Sequence, residues 1–474
     1  MSISAFCVHG HFYQPPREDP LSGIIPTEEG AYPYNNWNER IHDQCYKPNA
    51  ELGNFSRISF NLGPTVLEWM SQADPVTLKS ILDQERKNYE ATGLPNGMAQ
   101  SYNHTILPLA SQQDKKTQIE WGMREFKTRF GHPAEGIWLP EAAVDLQTLS
   151  VACDCGVRYV ILAPWQCADH GKDLSLPGWV ELGSGKRIAV FFYNQYLSTR
   201  VSFDPGSTRN ADEFLVNAIL PEFSNGYGEP KDRFLIIASD GELYGHHQRF
   251  RDRFLERLTT EAYRGKPLLQ MTPAEWLSRY PPKQTFTIVE NSSWSCHHGV
   301  KRWSEDCGCT PNSQWKAPLR IALNNVAKMV DEVFERVVDR FHVDPYTLRD
   351  DYIQVLIGQV SLEEFVKSHV PGCTDKTCHQ TGYLLRAQYE RQRMFTSCGW
   401  FFDDFNRIEP RNNVNYAAQA FWLTKQVEPE LSQDEILVDL KKVKSNRSSL
   451  SADQVFISHL RLAENYWTSG SSNT

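Results

Sequence analysis

Short apolar, β-branched or aromatic runs recur between residues 3 and 294, and nearly every one stops, on its C-terminal side, at a residue able to do chemistry. The runs are ISAFCVH (3–9), RISFNLG (57–63), MAQSYNH (98–104), GIWLPE (136–141), VRYVILAP (157–164), RIAVFFYN (187–194), FLIIASD (234–240) and FTIVENSSW (286–294). They lead to His9 and His11, His104, Glu141, Asn194, Asp240 and Asn291. Between several of them lie stretches with helical spacing, such as PVTLKSILDQERKNYEATG and KKTQIEWGMREFKTRFG, the second closed by Gly131. Repeated β-then-α units imply a parallel sheet, and about eight of them imply a barrel or a doubly wound sheet. The strand ends choose between these. A β/α barrel builds its site from several C-terminal strand ends at once, whereas an open sheet concentrates such residues at one switch point. The expected fold is an α/β barrel.

From residue 315 onward the pattern changes. WKAPLRIALNNVAKMVDEVFERVVDRF, RDDYIQVLIGQVSLEEFVKSHV, GYLLRAQYERQRMFTS, NYAAQAFWLTKQVE and SADQVFISHLRLAENYW all carry helical periodicity. The expected division is a catalytic barrel with lid loops over 1–314, an all-helical C-terminal domain over 315–468, and a small, polar, disordered tail over 469–474.

Charge narrows the partners. A formal net charge of -9, with no basic run longer than a few residues, argues against nucleic acid and against an anionic membrane. No apolar stretch reaches the ~20 residues of a spanning helix. A neutral or mixed substrate fits better, and the 13 Trp and 19 Tyr supply flat amphipathic rings of the kind sugar sites use, as large cores also do. Eleven cysteines without a small-scaffold spacing, and an N-terminus lacking a charged n-region and a small-residue cleavage site, lead to the expectation of a reduced, cytoplasmic chain.

Three stretches carry the chemistry. In CVHGHFYQPPRED the imidazoles of His9 and His11 share one face of a strand that Pro15 and Pro16 then terminate. In EGIWLPEAAVD, Glu141 shares a face with Leu139 and Ile137; read alone, it is equally a glutamate at the start of the following helix. In IIASDGELYGHHQRF, Asp240 is followed by Gly241, Glu242, Tyr244, His246 and His247. An Asp-Gly turn accounts for the first two but not for the Glu and both His, and so many titratable groups beyond one buried strand suggest tuned pKa values. Two carboxylates delivered to one barrel mouth are the minimum for glycoside cleavage.

Taken in order, HGHFYQPP, SYNHTILPL, GIWLPE and SDGELYGHH resemble four ordered motifs of glycoside hydrolase family 57, over residues 3–300. The resemblance implies an incomplete (β/α)7 barrel followed by helices, acting on α-glucans or related oligosaccharides by retaining hydrolysis or 4-α-glucanotransfer, without a cofactor. It makes Glu141 the nucleophile and Asp240 the acid/base, with His9, His11, Gln14, His104, Trp138 and His246 lining the sugar site. Glu242 joins them from the same loop, and Trp294 and Trp303 suit a second sugar. One departure is plain: Phe12 and Tyr13 stand between the second His and Gln14, where the family's usual opening has none. A subgroup with this insertion also resembles the chain in SSWSCHHGVKRWSEDCGC (292–309) and in MFTSCGWFFDDFNRIEPRNNVNYAAQA (394–420).

WSCHHGVKRWSEDCGC brings Cys296, His297, His298, Cys307 and Cys309, and GCTDKTCH adds Cys373, Cys378 and His379. The spacings do not form paired C-x-x-C units, so buried reduced thiols are expected ahead of a structural metal, and no metal ligand is assigned. Trp294, Trp303 and Asp306 suggest a loop folded over the barrel mouth. Two other readings compete. One is a metal-dependent polysaccharide deacetylase or mannosidase-like enzyme using His9 or His11 on a related barrel; the other is a non-catalytic carbohydrate-binding protein.

Overall fold

A computed structural model describes residues 2–224 and 231–470. The chain divides into two compact units, Met1–Gln14 with Thr27–Tyr102 and Gly122–Trp294, and Pro15–Pro26 with Asn103–Trp121 and Ser295–Thr474.

The first unit is built on parallel strands. β1 (Ser4–Phe12) pairs on one side with β2 (Ser59–Leu62) and on the other with β8 (Arg233–Asp240), and β9 (Leu269–Gln270) lies beside its first half. β2 pairs with β3 (Gly97–Gln100), and β3 with β4 (Ile137–Trp138). One parallel bridge, Gly136 to Tyr159, carries the order on to β5 (Tyr159–Leu162), which pairs with β7 (Arg187–Phe192). Between β7 and β8 the described residues form no ladder, but the Asn194 N–H donates to the Ile236 carbonyl at 2.8 Å. The seven parallel strands β1–β5, β7 and β8 therefore make an incomplete barrel, as expected.

Strands buried on both faces read as unbroken apolar runs, which is why AFCV and FLIIAS stand out in the sequence. The interior alternates small and large side chains: Ala5, Cys7, Ala189 and Ala238 against Tyr159, Phe191, Phe234 and Trp276. Phe234 and Trp276 stack at 4.9 Å. Continued along the same parity, this apolar packing gives way to His9, His11 and Asp240, so the polar end of the barrel is the C-terminal end of the strands.

Several sequence expectations need correcting. FTIVENSSW forms no strand; it touches its neighbours through single bridges at Ile288 and Ser292, and Asn291 has φ 53°. A left-handed residue breaks the alternation that a ladder needs. Conversely, β6 (Gly178–Glu181) pairs antiparallel with β7 where no strand was expected. By contact the second unit takes Pro15–Pro26 and Asn103–Trp121 together with Ser295–Thr474, and Arg17, Glu18 and Asp114 of the early segments find charged partners there in Glu409, Arg393 and Arg391. Periodicity does not reveal such choices.

The expected long helices form: Pro75–Thr92 and Gln112–Phe130 around the barrel strands, then Lys316–Val338, Asp375–Arg393, Ile408–Lys425 and Ala452–Gly470. Gly131, expected to close its helix, has φ 81°. Ile408–Lys425 is buried nearly all round, with its polar Gln419 bound to His459 at 2.9 Å. RDDYIQVLIGQVSLEEFVKSHV is broken into the short helices Pro345–Asp351, Ile353–Leu356 and Leu362–His369. Of the tail expected to be disordered, 471–474 lie outside the described residues, and 469 and 470 end the last helix. Cys373 and Cys378 form a disulfide, contrary to the all-reduced expectation; their Cα atoms, 5.7 Å apart across a helix start, are at bridging range. Among the described residues no helix is long and apolar enough to cross a membrane.

Candidate active site

Parallel register places the strand-end side chains in layers. His9 lies opposite Ser59 and Ala238, and His11 opposite Asn61 and Asp240. Ser59 Oγ is 3.0 Å from His9 Nδ1, and the Asn61 amide lies within 3.2 Å of His11 Nδ1 while donating to Gln100 Oε1 at 2.7 Å. Trp138, from the end of β4, stacks on both imidazoles, at 4.8 Å from His9 and 5.1 Å from His11. Burial pushes His9 down to about 3, helped by its neighbour His11, and pushes His11 down to about 4. Both rings are therefore neutral near pH 7, able to donate and accept. His9 Nε2, Gln100 Nε2 and Trp138 Nε1 are buried without a hydrogen-bond partner among the described residues. Buried unsatisfied polar atoms are costly, and a hydroxyl-rich ligand relieves them.

Glu141 follows β4 in the turn Pro140–Ala142 with φ 58° and ψ 21°, and Ala142 after it has φ 47°. Two consecutive non-glycine residues in the left-handed region cost of order 1–3 kcal/mol each and persist only where the surroundings hold them. Here they do. Trp294 N donates to the Glu141 carbonyl at 2.9 Å, Gln166 Nε2 to the Ala142 carbonyl at 2.8 Å, and Trp294 Nε1 to Glu141 Oε2 at 3.1 Å. The helix that follows is capped by Asp145, which accepts from Thr148 N at 2.7 Å. The capping role open to Glu141 in the sequence thus belongs to Asp145.

Asp240 ends β8 with its side chain open to solvent. Protein crowding around it first, and the charge of Glu141 second, push its pKa up to about 7. Gly241 comes next because a Cβ there would lie 2.3 Å from the Phe12 ring. Glu242 turns inward, where its Oε1 accepts from Tyr46 OH at 2.7 Å and from Tyr13 N at 3.0 Å. Burial first, opposed by the Tyr46 hydrogen bond and aided by Asp240, pushes Glu242 up to about 8. It ties the β1 exit to the β8 exit instead of facing the open end. A raised folded pKa means that stability is present in acid and is lost as pH rises through it. Glu242→Gln keeps the Oε1 acceptor and abolishes the titration. We expect its melting temperature to fall less than that of wild type between about pH 5 and about pH 8; equal slopes would show that Glu242 does not govern this window.

The structure brings together His9, His11, Trp138, Glu141, Asp240 and Trp294. Gln14 is buried nearby, its carbonyl accepting from Thr65 OH. His246 sits on the acid loop with Nδ1 2.7 Å from Gln44 Oε1, held neutral by burial that lowers it to about 4. His104 and Trp303 belong to the second unit, where His104 Nδ1 lies 2.6 Å from Ser397 Oγ and Trp303 is wholly buried. Sequence reasoning missed Asn61 and Gln100, although both are polar residues at the ends of otherwise apolar runs. It also missed Trp165, which is exposed just beyond β5, donates to the Ser293 carbonyl at 2.9 Å, and lies edge-on to Tyr193 at 6.0 Å.

Carboxyl groups in different environments lie beside neutral imidazoles and indoles at the open end of a β/α barrel, an arrangement compatible with carboxylate-pair chemistry. The chain belongs to glycosyl hydrolase family 57, whose profile matches residues 24–289. A second profile, a domain of unknown function (DUF3536), matches 312–463. The chain is 20% identical over 277 residues to an alpha-amylase of Pyrococcus abyssi, covering 54% of this chain and 39% of that protein. It is 22% identical over 310 residues to a 4-alpha-glucanotransferase of Thermococcus kodakarensis, covering 61% and 42%. The match thus spans about two fifths of the length of these curated relatives. The crystal structure of an exo-type maltose-forming amylase from Pyrococcus sp. ST04 matches with TM-score 0.73 at 14% identity, over 96% of this chain and 88% of that one, a likeness of fold.

Proposed function

We propose that the barrel unit cleaves α-glycosidic bonds of α-glucans or related oligosaccharides, with retention, through a glycosyl-enzyme on Glu141. The observation that carries this reading is the convergence of two carboxylates on one imidazole floor: Asp240 in register with His11, and Glu141 on the Trp294 indole that packs against His11 and Trp138. In the first step a Glu141 oxygen bonds to the anomeric carbon, the glycosidic C–O bond breaks, and the Asp240 proton goes to the leaving oxygen. In the second, the Asp240 carboxylate takes a proton from water or a sugar hydroxyl, whose oxygen displaces Glu141. Water gives hydrolysis and a sugar gives transfer. Trp294 Nε1, on Glu141 Oε2, orients the carboxylate. His9 and His11, neutral in a buried floor, suit sugar hydroxyls. Family membership and the amylase and glucanotransferase relatives support the substrate class.

The test is incubation with maltooligosaccharides, glycogen and a short α-glycoside panel, with products resolved by length and by initial anomeric configuration. Retained anomers from any α-glucan support the reading; inverted products, or no turnover across the panel, overturn it. The proton on Asp240 adds a further expectation. kcat/KM falls as pH rises through about 7, because the donor is then lost. A profile flat to well above that value would remove Asp240 as the acid.

A further inference from the structure

Three of the cysteines expected as buried thiols, Cys296, Cys307 and Cys309, come together in the second unit. The donor atoms of Cys296, His298, Cys307 and Cys309 all lie within 4.8 Å of one another. Cys296 Sγ is 3.8 Å from Cys307 Sγ and 3.7 Å from Cys309 Sγ, and His298 Nδ1 is 3.3 Å from Cys309 Sγ. In a tetrahedron the edge is about 1.63 times the centre-to-corner distance, so a Zn–S bond of about 2.3 Å requires sulfurs about 3.8 Å apart. The Cys296 sulfur already holds that spacing to both of the others. A disulfide, with sulfurs about 2 Å apart, would draw two of them out of it and leave the third thiol and the imidazole without a role.

We propose that Cys296, His298, Cys307 and Cys309 bind one zinc ion as a closed structural site. Three thiolates and one neutral imidazole around Zn²⁺ leave a net charge of about -1, and each thiol that binds gives its proton to solvent. The surroundings suit that charge. The Lys316 side chain is fully buried, and its Nζ has no hydrogen-bond partner among the described residues. It lies close to Cys296 and Cys307, and Arg302 reaches Cys309. A buried cation is costly unless anions stand beside it; the Asp306 carboxylate is one, and zinc-bound thiolates would be another. Four protein ligands leave no open position, which separates a structural site from a catalytic one, and a sulfur-rich tetrahedral set favours zinc. The segment also has little else to hold it. Between Cys296 and Cys309 the regular structure is the short helical turn Lys301–Trp303. Asp306 shapes the return, its Oδ1 accepting from Gly308 N at 3.1 Å and from Ser313 Oγ at 2.6 Å. The sequence obscured this site because its ligands come as C-x-H and C-x-C pairs rather than C-x-x-C. His297 and His379 lie outside the cluster.

The test is elemental analysis of the full chain, produced with zinc in the medium and dialysed without chelator. About one zinc per chain is expected, falling at least tenfold in Cys296→Ser and in Cys309→Ser and unchanged in Cys153→Ser. Because the ligand variants risk misfolding, the wild type is also exchanged with Co²⁺. Strong sulfur-to-cobalt charge-transfer absorption with intense visible bands is expected of tetrahedral thiolate ligation. Metal-free protein with no such cobalt spectrum would overturn the proposal, as would a disulfide within the trio found by peptide mapping.

Discussion

Glu141→Gln is expected to lower kcat on any α-glucan substrate by about 10⁴-fold or more while leaving the fold intact, because the amide cannot form the glycosyl-enzyme. Gln retains the shape and an oxygen for the Trp294 Nε1 donor, so the loss is chemical and not architectural. Asp240→Asn is expected to behave differently. Its cost of about 10²–10⁴-fold should depend on the leaving group, since an activated aryl glycoside departs without a proton. With that substrate, added azide should replace the water that Asp240 no longer activates and restore turnover. Activity surviving in Glu141→Gln, or equal losses in Asp240→Asn on activated and natural substrates, would end the assignment of roles. The backbone offers a separate readout. Glu141→Gly should be inactive yet melt no lower than wild type, since glycine adopts the left-handed conformation at φ 58° without the cost a side chain incurs.

The largest effect on stability is expected in the helical unit. Arg391, buried, binds Asp114 Oδ2 through Nη1 at 2.8 Å and Asp331 Oδ2 through Nη2 at 2.7 Å. Arg349, fully buried, binds Asp114 Oδ1 at 3.0 Å, and Gln392 Nε2 donates to that same oxygen at 2.7 Å. Burial alone would raise the Asp114 pKa, but Arg391 first and Arg349 second reverse this and hold it well below the usual carboxylate range. Arg391→Met fills the space but leaves two carboxylates short of their partner, which costs about 3–5 kcal/mol by the measure of broken buried pairs. Denaturant unfolding of wild type and variant at neutral pH reads this directly. The sign with pH follows from the depressed pKa: the contribution is present above about pH 4 and is lost below it, so the two proteins converge in acid. A difference under about 1 kcal/mol at neutral pH would show that the network behaves as a solvated surface pair.

The barrel was legible because its central strands are covered on both faces, so Ala5–Val8 and Phe234–Ala238 stand out as apolar blocks that end in chemistry. Asp240 was legible for the same reason, as a polar residue on a parity otherwise apolar, whereas Glu141 was not: β4 ends at Trp138, and the left-handed turn at Glu141, not strand alternation, sets its position. Elements made by distant partners were not. His104 closes a promising run but folds into the second unit, and Trp303 reads as a sugar platform yet is wholly buried. Glu242 looked like a third catalytic-loop carboxyl, and only Tyr46, about two hundred residues away in the chain, shows that it points inward. The Cys296 cluster depends on a loop that brings residues eleven and thirteen positions apart together, which no helical or strand period encodes.

The unequal fastening of β8 has a mechanical consequence. On its β1 side it is laced along the whole run from Arg233 to Asp240, whereas towards β7 the Asn194–Ile236 bond is the single backbone stitch among the described residues. A hoop closed by one stitch is compliant there. On that side the other main-chain groups of β8 turn to different partners, Phe234 N to the Ser175 carbonyl at 2.8 Å and Ala238 N to Ser198 Oγ at 3.0 Å. Asp240 is in register with His11, so its place over the imidazole floor is set by the laced edge of β8 and not by the stitched one.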